Sequence, residues 1–193
     1  MTTRTAVIHV CLMLFSALLA PCLGGSIVTG KNPTQKQTFL KHVRSLPIGK
    51  YIHLIDQLRK QKNLRSLRWI YTSNLPNSSI AAGAYAAAID SDKVIRFCAD
   101  LELTSDNWIE AFYSLRLHPK RKVIGYIKQV ATSSIPEARY MCYVVCESKA
   151  WKDLNHIALQ DVKSKYRIVG AGATASETLG QAAKNYLEKI SRK

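Results

Sequence analysis

The sequence predicts an α/β fold with a mainly parallel sheet and flanking helices, preceded by two basic amphipathic helices. Two observations predict it. From residue 68 onward, short β-branched and aromatic runs alternate with segments whose apolar residues recur at helical spacing. Polar loops rich in serine, threonine and glycine separate the two kinds of segment. This alternation is typical of parallel strands joined by helices that cover the sheet.

Five short apolar runs are the predicted strands. The fourth, RYMCYVVC, has the near-continuous apolar centre expected of a strand that is buried on both faces. In chain order the predicted strands cover residues 68–72, 94–99, 123–127, 139–146 and 166–169.

Helix-capping residues predict where the intervening helices begin. A run of small residues at 80–89 forms the first of these helices, and the capping pair Thr104-Ser105 precedes the second. Thr174 and Glu177 form a capping box before the last helix. Each of these helices follows a predicted strand.

Residues 1–25 are predicted to be a signal peptide. Arg4 supplies the positive start, and residues 6–20 form an apolar stretch. A membrane anchor is the alternative, but the stretch is shorter than the ~20 residues that a spanning helix needs, and Pro21 ends it. We therefore expect a periplasmic or secreted protein.

The positive charge of the chain is concentrated near its beginning. The whole sequence has 28 Lys and Arg against 13 Asp and Glu, a formal charge of +15. Residues 31–68 contain ten basic residues and one acidic residue, Asp56, and therefore carry +9. The imbalance predicts an anionic partner for this part of the chain.

Residues 26–67 are predicted to form a basic helical segment ahead of an α/β domain at 68–193. Asn32-Pro33 is a typical helix start, and apolar residues follow at helical spacing. Basic amphipathic helices bind acidic proteins, nucleic acids or membrane surfaces, or they simply expose a solvated face while packing on a domain. Nucleic acid is not expected here, because the joint near Pro47 lacks the short glycine-containing turn of a helix-turn-helix.

The cysteines beyond the predicted signal peptide are Cys98, Cys142 and Cys146. If Cys142 and Cys146 share a strand they lie ~13 Å apart, which is too far for a disulfide. We expect buried thiols, with a disulfide between Cys98 and one of the other two left open. No metal or cofactor is expected, because the sequence has no CxxC and its histidines are scattered.

Three strand-to-helix junctions are candidates for a ligand site, namely residues 73–79, 104–105 and 170–176. Each leaves unpaired N–H groups at a helix N-terminus, which is a common way to hold an anion or carboxylate. Parallel strands would place all three at one edge of the sheet. Helix capping alone accounts for the same residues equally well.

The third junction also resembles a nucleotide motif. Gly170, Gly172 and Ala175 satisfy G-x-G-x-x-A after a predicted strand. Neither a following strand nor an acidic residue about 20 positions further on accompanies it. Dinucleotide binding is therefore not expected.

The order of these motifs resembles type 2 periplasmic solute-binding proteins, in particular the TAXI receptors of TRAP transporters and phosphate- or phosphonate-binding relatives. The segments that carry the resemblance are RWIYTSNLPNSSIAAGAYAAAI, TSDNWIEAFYSL, VIGYI, YMCYVVCESKAWKDL and YRIVGAGATASETLGQAAKNYL. It covers residues 68–193, which would correspond to one lobe of a two-lobed receptor. A single lobe would keep the fold but lose the closing cleft between lobes.

The resemblance implies a transport function, in which a small anionic solute is bound and passed to a membrane transporter component. It also implies that hydroxyl and amide groups of the strand-end loops hold the ligand. The candidate ligand-binding residues are Ser73, Asn74, Ser78, Ser79, Thr104, Ser105, Gly172, Thr174 and Ser176.

No arrangement of residues predicts catalysis, because the sequence has no G-x-S-x-G, no H-E-x-x-H and no close Cys–His pair. Two hypotheses therefore stand. The first is a non-enzymatic solute-binding protein. The second is a secreted basic interaction protein whose helices over residues 31–68 bind an acidic partner. Asn77-Ser78-Ser79 is in addition an N-glycosylation sequon.

Overall fold

The computed structural model describes residues 33–170, 173 and 177–192, and this part of the chain is helical. One short segment, Ser114–Leu117, is a 3₁₀ helix. The α-helices are α1 (Pro33–Arg44), α2 (Ile48–Lys60), α3 (Leu64–Tyr71), α4 (Ser78–Ala88), α5 (Ser91–Ala99), α6 (Asp106–Tyr113), α7 (Lys120–Ala131), α8 (Pro136–Lys149), α9 (Asn155–Asp161) and α10 (Leu179–Ser191).

The predicted α/β fold with a parallel sheet is wrong. Three of the five predicted strands lie inside α5, α7 and α8, and the first, at residues 68–72, lies in α3 except for its last residue. The fifth contains Arg167, which forms an isolated antiparallel bridge with Thr178, and the described residues hold no sheet. In α7 the buried residues Val123, Ile127 and Val130 recur every three to four positions, which is the spacing of a helix face.

The predicted helix starts agree better with the structure. Both basic helices are present as α1 and α2, and α4 covers most of the predicted helix at 80–89. Ser105 caps α6 by accepting a hydrogen bond from the Trp108 N–H at 3.2 Å. The last helix instead begins at Leu179, capped by Thr178, while Thr174 lies outside the described residues.

The chain divides into Met1–Gln35, of which residues 33–35 are described, and a compact unit, Lys36–Lys193. Within this unit, helices from both sides of the expected boundary at residue 68 pack together, since α4 contacts both α2 and α3. No helix in the described part has both the length and the hydropathy needed to cross a bilayer.

Helix α4 connects the two hydrophobic clusters of this unit. Its small residues let neighbouring helices approach closely, and a Cβ added at Gly83 would lie 3.0 Å from the backbone oxygen of Glu110 on α6. One cluster joins residues of α1 to α4, and the other joins residues from the end of α4 to α10. Tyr85 of α4 contacts both clusters.

The cysteine prediction is confirmed for burial, because Cys98, Cys142 and Cys146 are all buried and free. Cys142 and Cys146 share α8 rather than a strand, and the alternative of a disulfide to Cys98 is not formed. The Cys142 thiol donates to the backbone oxygen of Ala138 at 3.3 Å. The thiols are thus part of the packed core.

We predict that Gly180→Ala destabilises the fold, because Gly180 lies where α10 meets the end of α9. An added Cβ would be 2.5 Å from the backbone oxygen of Ser164 and 2.9 Å from that of Val162. The backbone must shift to avoid these clashes. Gly180→Ala should therefore lower the free energy of unfolding by roughly 1–3 kcal/mol, measured by urea denaturation. Gly125→Ala is the matched control, because its Cβ would meet no atom within 4 Å and alanine favours the helix by roughly 0.5–1 kcal/mol. Equal effects of the two substitutions would contradict this packing.

Candidate functional site

A polar depression of about 800 Å³ brings together five of the residues predicted to bind ligand. Its lining comes from the segment between α3 and α4 and from the start of α6. The predicted residues in the lining are Ser73, Asn74, Ser78, Ser79 and Ser105.

The other four predicted residues do not join this lining. Thr104 is half-buried next to Ser105, with a positive φ of 68°, but does not line the depression. Gly172, Thr174 and Ser176 lie outside the described residues. The predicted convergence of three loops is therefore seen for two of them.

Two of the hydroxyl groups in this depression already serve the backbone. The Ser73 hydroxyl donates to the Ile70 carbonyl oxygen at 2.5 Å. The Ser105 hydroxyl donates to the Glu102 carbonyl oxygen at 2.7 Å while accepting from the Trp108 N–H. These contacts are those of helix ends and caps, the alternative that the sequence left open.

The charge of the depression does not suit an anion. Asp106 is the charged residue in its lining, which contains no lysine or arginine among the described residues. One turn further along α6, burial raises the pKa of Glu110, and the negative charge of Asp106 raises it further. A small anionic solute would meet a carboxylate here and no cation.

Exposed cationic side chains recur along α1 to α3 and the turn between α2 and α3. Asp56 is the single carboxylate of these helices and pairs with both Arg59 and Lys60, at 2.7 Å in each case. We define the basic surface by its exposed cationic side chains, which are Lys41, Arg44, Lys50, Lys60, Lys62, Arg65 and Arg68.

A basic groove of about 520 Å³ extends this surface toward α7. The end of α2 and the start of α7 form two of its sides. Asp90, which precedes α5, and Asp92, in the first turn of α5, also line it. His118 fixes the segment before α7, because its ring nitrogens lie 3.0 Å from the Ser91 hydroxyl and 3.0 Å from the Ala86 carbonyl oxygen. The cationic residues of the groove are Arg59, Lys60, Lys62, Arg121 and Lys122.

The first turn of α7 carries positive charge where a helix dipole disfavours it. Lys120, Arg121 and Lys122 occupy this turn, which contains no acidic residue. Lys120 pairs with Asp153 at 2.5 Å and Lys122 with Asp92 at 2.8 Å. Arg121 has no ion pair within the described residues, so a further anionic group would be favourable at this helix end.

The cationic residues at the start of α7 were not identified from the sequence as part of a site. The signal was the run HPKRK at residues 118–122, in which three adjacent basic residues follow a proline.

The described residues hold no cluster of His, Cys, Asp or Glu suited to a metal ion. Comparison of the chain with protein-family models, curated proteins and solved structures found no match.

Proposed function

We propose that the chain is a secreted basic interaction protein that binds an acidic protein partner through its basic surface. The observation that carries this proposal is that seven exposed cationic side chains lie among residues 36–68, against one carboxylate that is already paired. Opposite charges of this kind steer association and select the partner. The solute-binding hypothesis loses its basis, because it relied on strand ends at a sheet edge.

A protein partner fits this surface better than a bilayer does. An amphipathic helix that lies in a membrane inserts its apolar face, but the apolar faces of α1 and α2 pack in the core through Val43, Ile55 and Leu58. Ile48 and Ile52 are 55% and 37% exposed, and both lie on α2. Two such apolar side chains are too few for insertion but suit a protein interface with a polar rim.

A protein partner also fits better than nucleic acid. Proteins that bind single strands stack bases on exposed aromatic rings. In this region Phe39 and Trp69 are half-buried and contact each other, with ring centroids 5.9 Å apart, and Tyr51 is buried. The basic surface thus offers charge without a stacking platform.

The test compares two triple variants with the same change in charge. Lys41→Glu, Arg44→Glu and Lys50→Glu reverse charge on the basic surface, whereas Lys163→Glu, Lys165→Glu and Lys184→Glu do so at exposed positions elsewhere. Like charges facing each other across an interface cost several kcal/mol, so the first variant should bind a polyglutamate peptide at least about tenfold more weakly. The control should stay within about twofold of the parent if the specific surface, rather than net charge, determines binding.

Salt and competing ligands sharpen this test. The difference between the variants should shrink in about 1 M salt, where the Debye length is about 3 Å. Vesicles of phosphatidylserine and a single-stranded DNA serve as alternative probes. Equal losses in both triple variants, or tighter binding to vesicles or DNA than to polyglutamate, would contradict an acidic protein partner.

A further inference from the structure

We propose that Asn77 is an acceptor for an N-linked glycan when the chain passes through a eukaryotic secretory pathway. This proposal rests on the secretion that is part of the proposed function. Asn77-Ser78-Ser79 satisfies the N-x-S/T sequon with a residue other than proline in the middle. The sequence also contains Asn32-Pro33-Thr34, but proline at its middle position excludes it as a sequon.

The structure leaves the side chain of Asn77 accessible. Asn77 is exposed at the start of α4 with a positive φ of 58°, and its side chain makes no capping hydrogen bond. Asparagine ordinarily caps a helix from this position, so the missing bond leaves its carboxamide uncommitted. The backbone is held instead, because the Tyr51 hydroxyl donates to the Asn77 carbonyl oxygen at 2.9 Å.

The surroundings of Asn77 can accommodate a sugar. Asn77 lines the polar depression of about 800 Å³, together with hydroxyl and amide side chains and the ring of Tyr71. Such groups suit the hydroxyl and acetamido groups of a neutral sugar, whereas the charged side chain that an anion would meet among the described lining residues is the carboxylate of Asp106. The folded chain can therefore carry a glycan at Asn77 without unpacking its core.

The transfer requires a lipid-pyrophosphate-linked oligosaccharide as donor. The amide nitrogen of Asn77 forms a bond to the anomeric carbon of the first sugar and loses one proton to the surrounding water. The bond from that carbon to the pyrophosphate oxygen breaks, and the lipid pyrophosphate leaves with the bonding electron pair. Nothing is oxidised or reduced.

The experiment translates the chain in the presence of endoplasmic-reticulum microsomes, with residues 1–25 replaced by a strong cleavable signal sequence. We expect most protease-protected chains to show one endoglycosidase-sensitive mobility shift. Asn77→Gln and Ser79→Ala should each abolish this shift. Ser78→Ala is the matched control and should retain it, because the middle position of the sequon tolerates alanine.

Protected chains without a shift, or a shift that persists in Asn77→Gln, would overturn the proposal. A second arm uses the chain with its own residues 1–25. Failure of translocation in that arm would contradict secretion in the proposed function, whereas a shift in the first arm would still support Asn77 as the acceptor. The two failures are thus distinguishable.

Discussion

Asp161→Ala is expected to lower the free energy of unfolding by about 2–4 kcal/mol, as measured by urea denaturation, because it leaves the partly buried Arg139 cation without its partner and the Tyr143 hydroxyl without its acceptor. Asp161 ends α9 and is 3% exposed. Its carboxylate forms an ion pair with Arg139 of α8, accepts from the Arg139 Nε–H at 3.1 Å and accepts from the Tyr143 hydroxyl at 2.5 Å. These contacts join α8 to α9 within the core.

A double variant tests whether unpaired charge is the cause. Arg139→Met combined with Asp161→Leu removes both charges and fills their space with apolar groups. Such replacement of a buried pair is often neutral or stabilising, so the double variant should recover the part of the loss that comes from the unpaired cation, while the unpartnered Tyr143 hydroxyl still costs about 1–3 kcal/mol. Lys93→Ala breaks the exposed pair with Asp90 and should cost less than about 1 kcal/mol. A double variant as unstable as Asp161→Ala would show that the pair acts through more than its charges.

The sequence predicted the start of α6 correctly because capping is a local property. Ser105 can cap α6 whatever packs around it, and the run of small residues in α4 has few alternatives to a helix. Short apolar runs are different, because periodicity over five residues does not separate a strand from a buried helix. A longer window over Pro136–Lys149 would have shown a proline at the start and fourteen residues, which is long for a strand.

The candidate sites could likewise be predicted only where they depend on residues that are close in the sequence. Counting charges over residues 31–68 located the basic surface, because sequence neighbours on successive helices share it. The groove also requires Arg121 and Lys122 to lie near the end of α2, about sixty positions earlier in the chain, and only the packing of α4 and α5 between them places them there. Similarly, Ser73 and Ser105 share a depression because α4 and α6 pack closely at Gly83, not because of a sheet edge.

Alkaline pH is expected to destabilise the fold steeply above about pH 9, because three buried thiols keep their protons when folded. Burial raises the pKa of Cys98 and of Cys146 from 9.0 to about 12, and it raises that of Cys142 well above 9.0. Above pH 9 the unfolded chain therefore binds fewer protons than the folded chain, so stability falls as pH rises toward 12. The slope that each thiol contributes approaches about 1.4 kcal/mol per pH unit from about pH 10, where most unfolded thiols are ionised, so three thiols contribute up to about 4.

This slope would remove much of a typical stability of 5–15 kcal/mol within about two pH units. The measurement is urea denaturation between about pH 7 and pH 11, in a Cys11→Ser and Cys22→Ser background so that the three buried thiols alone titrate as cysteines. Tyr51, Tyr126 and Tyr186, whose pKa burial raises from 10.0 to about 12, add to the loss only above about pH 10.

Cys98→Ala separates the thiols from other alkaline effects. Removing one buried thiol should reduce the loss of stability between pH 9 and pH 10 by about 1 kcal/mol, whatever the variant costs in stability at pH 7. The same burial should keep the native thiols unreactive toward a disulfide reagent at about pH 8, with all three reacting in denaturant, because the thiolate is the attacking form. A free energy of unfolding that stays level from pH 8 to pH 10, together with thiols that react in the native state, would contradict this prediction. Such thiols would lie outside the core, where a thiol has nearly the same pKa before and after unfolding.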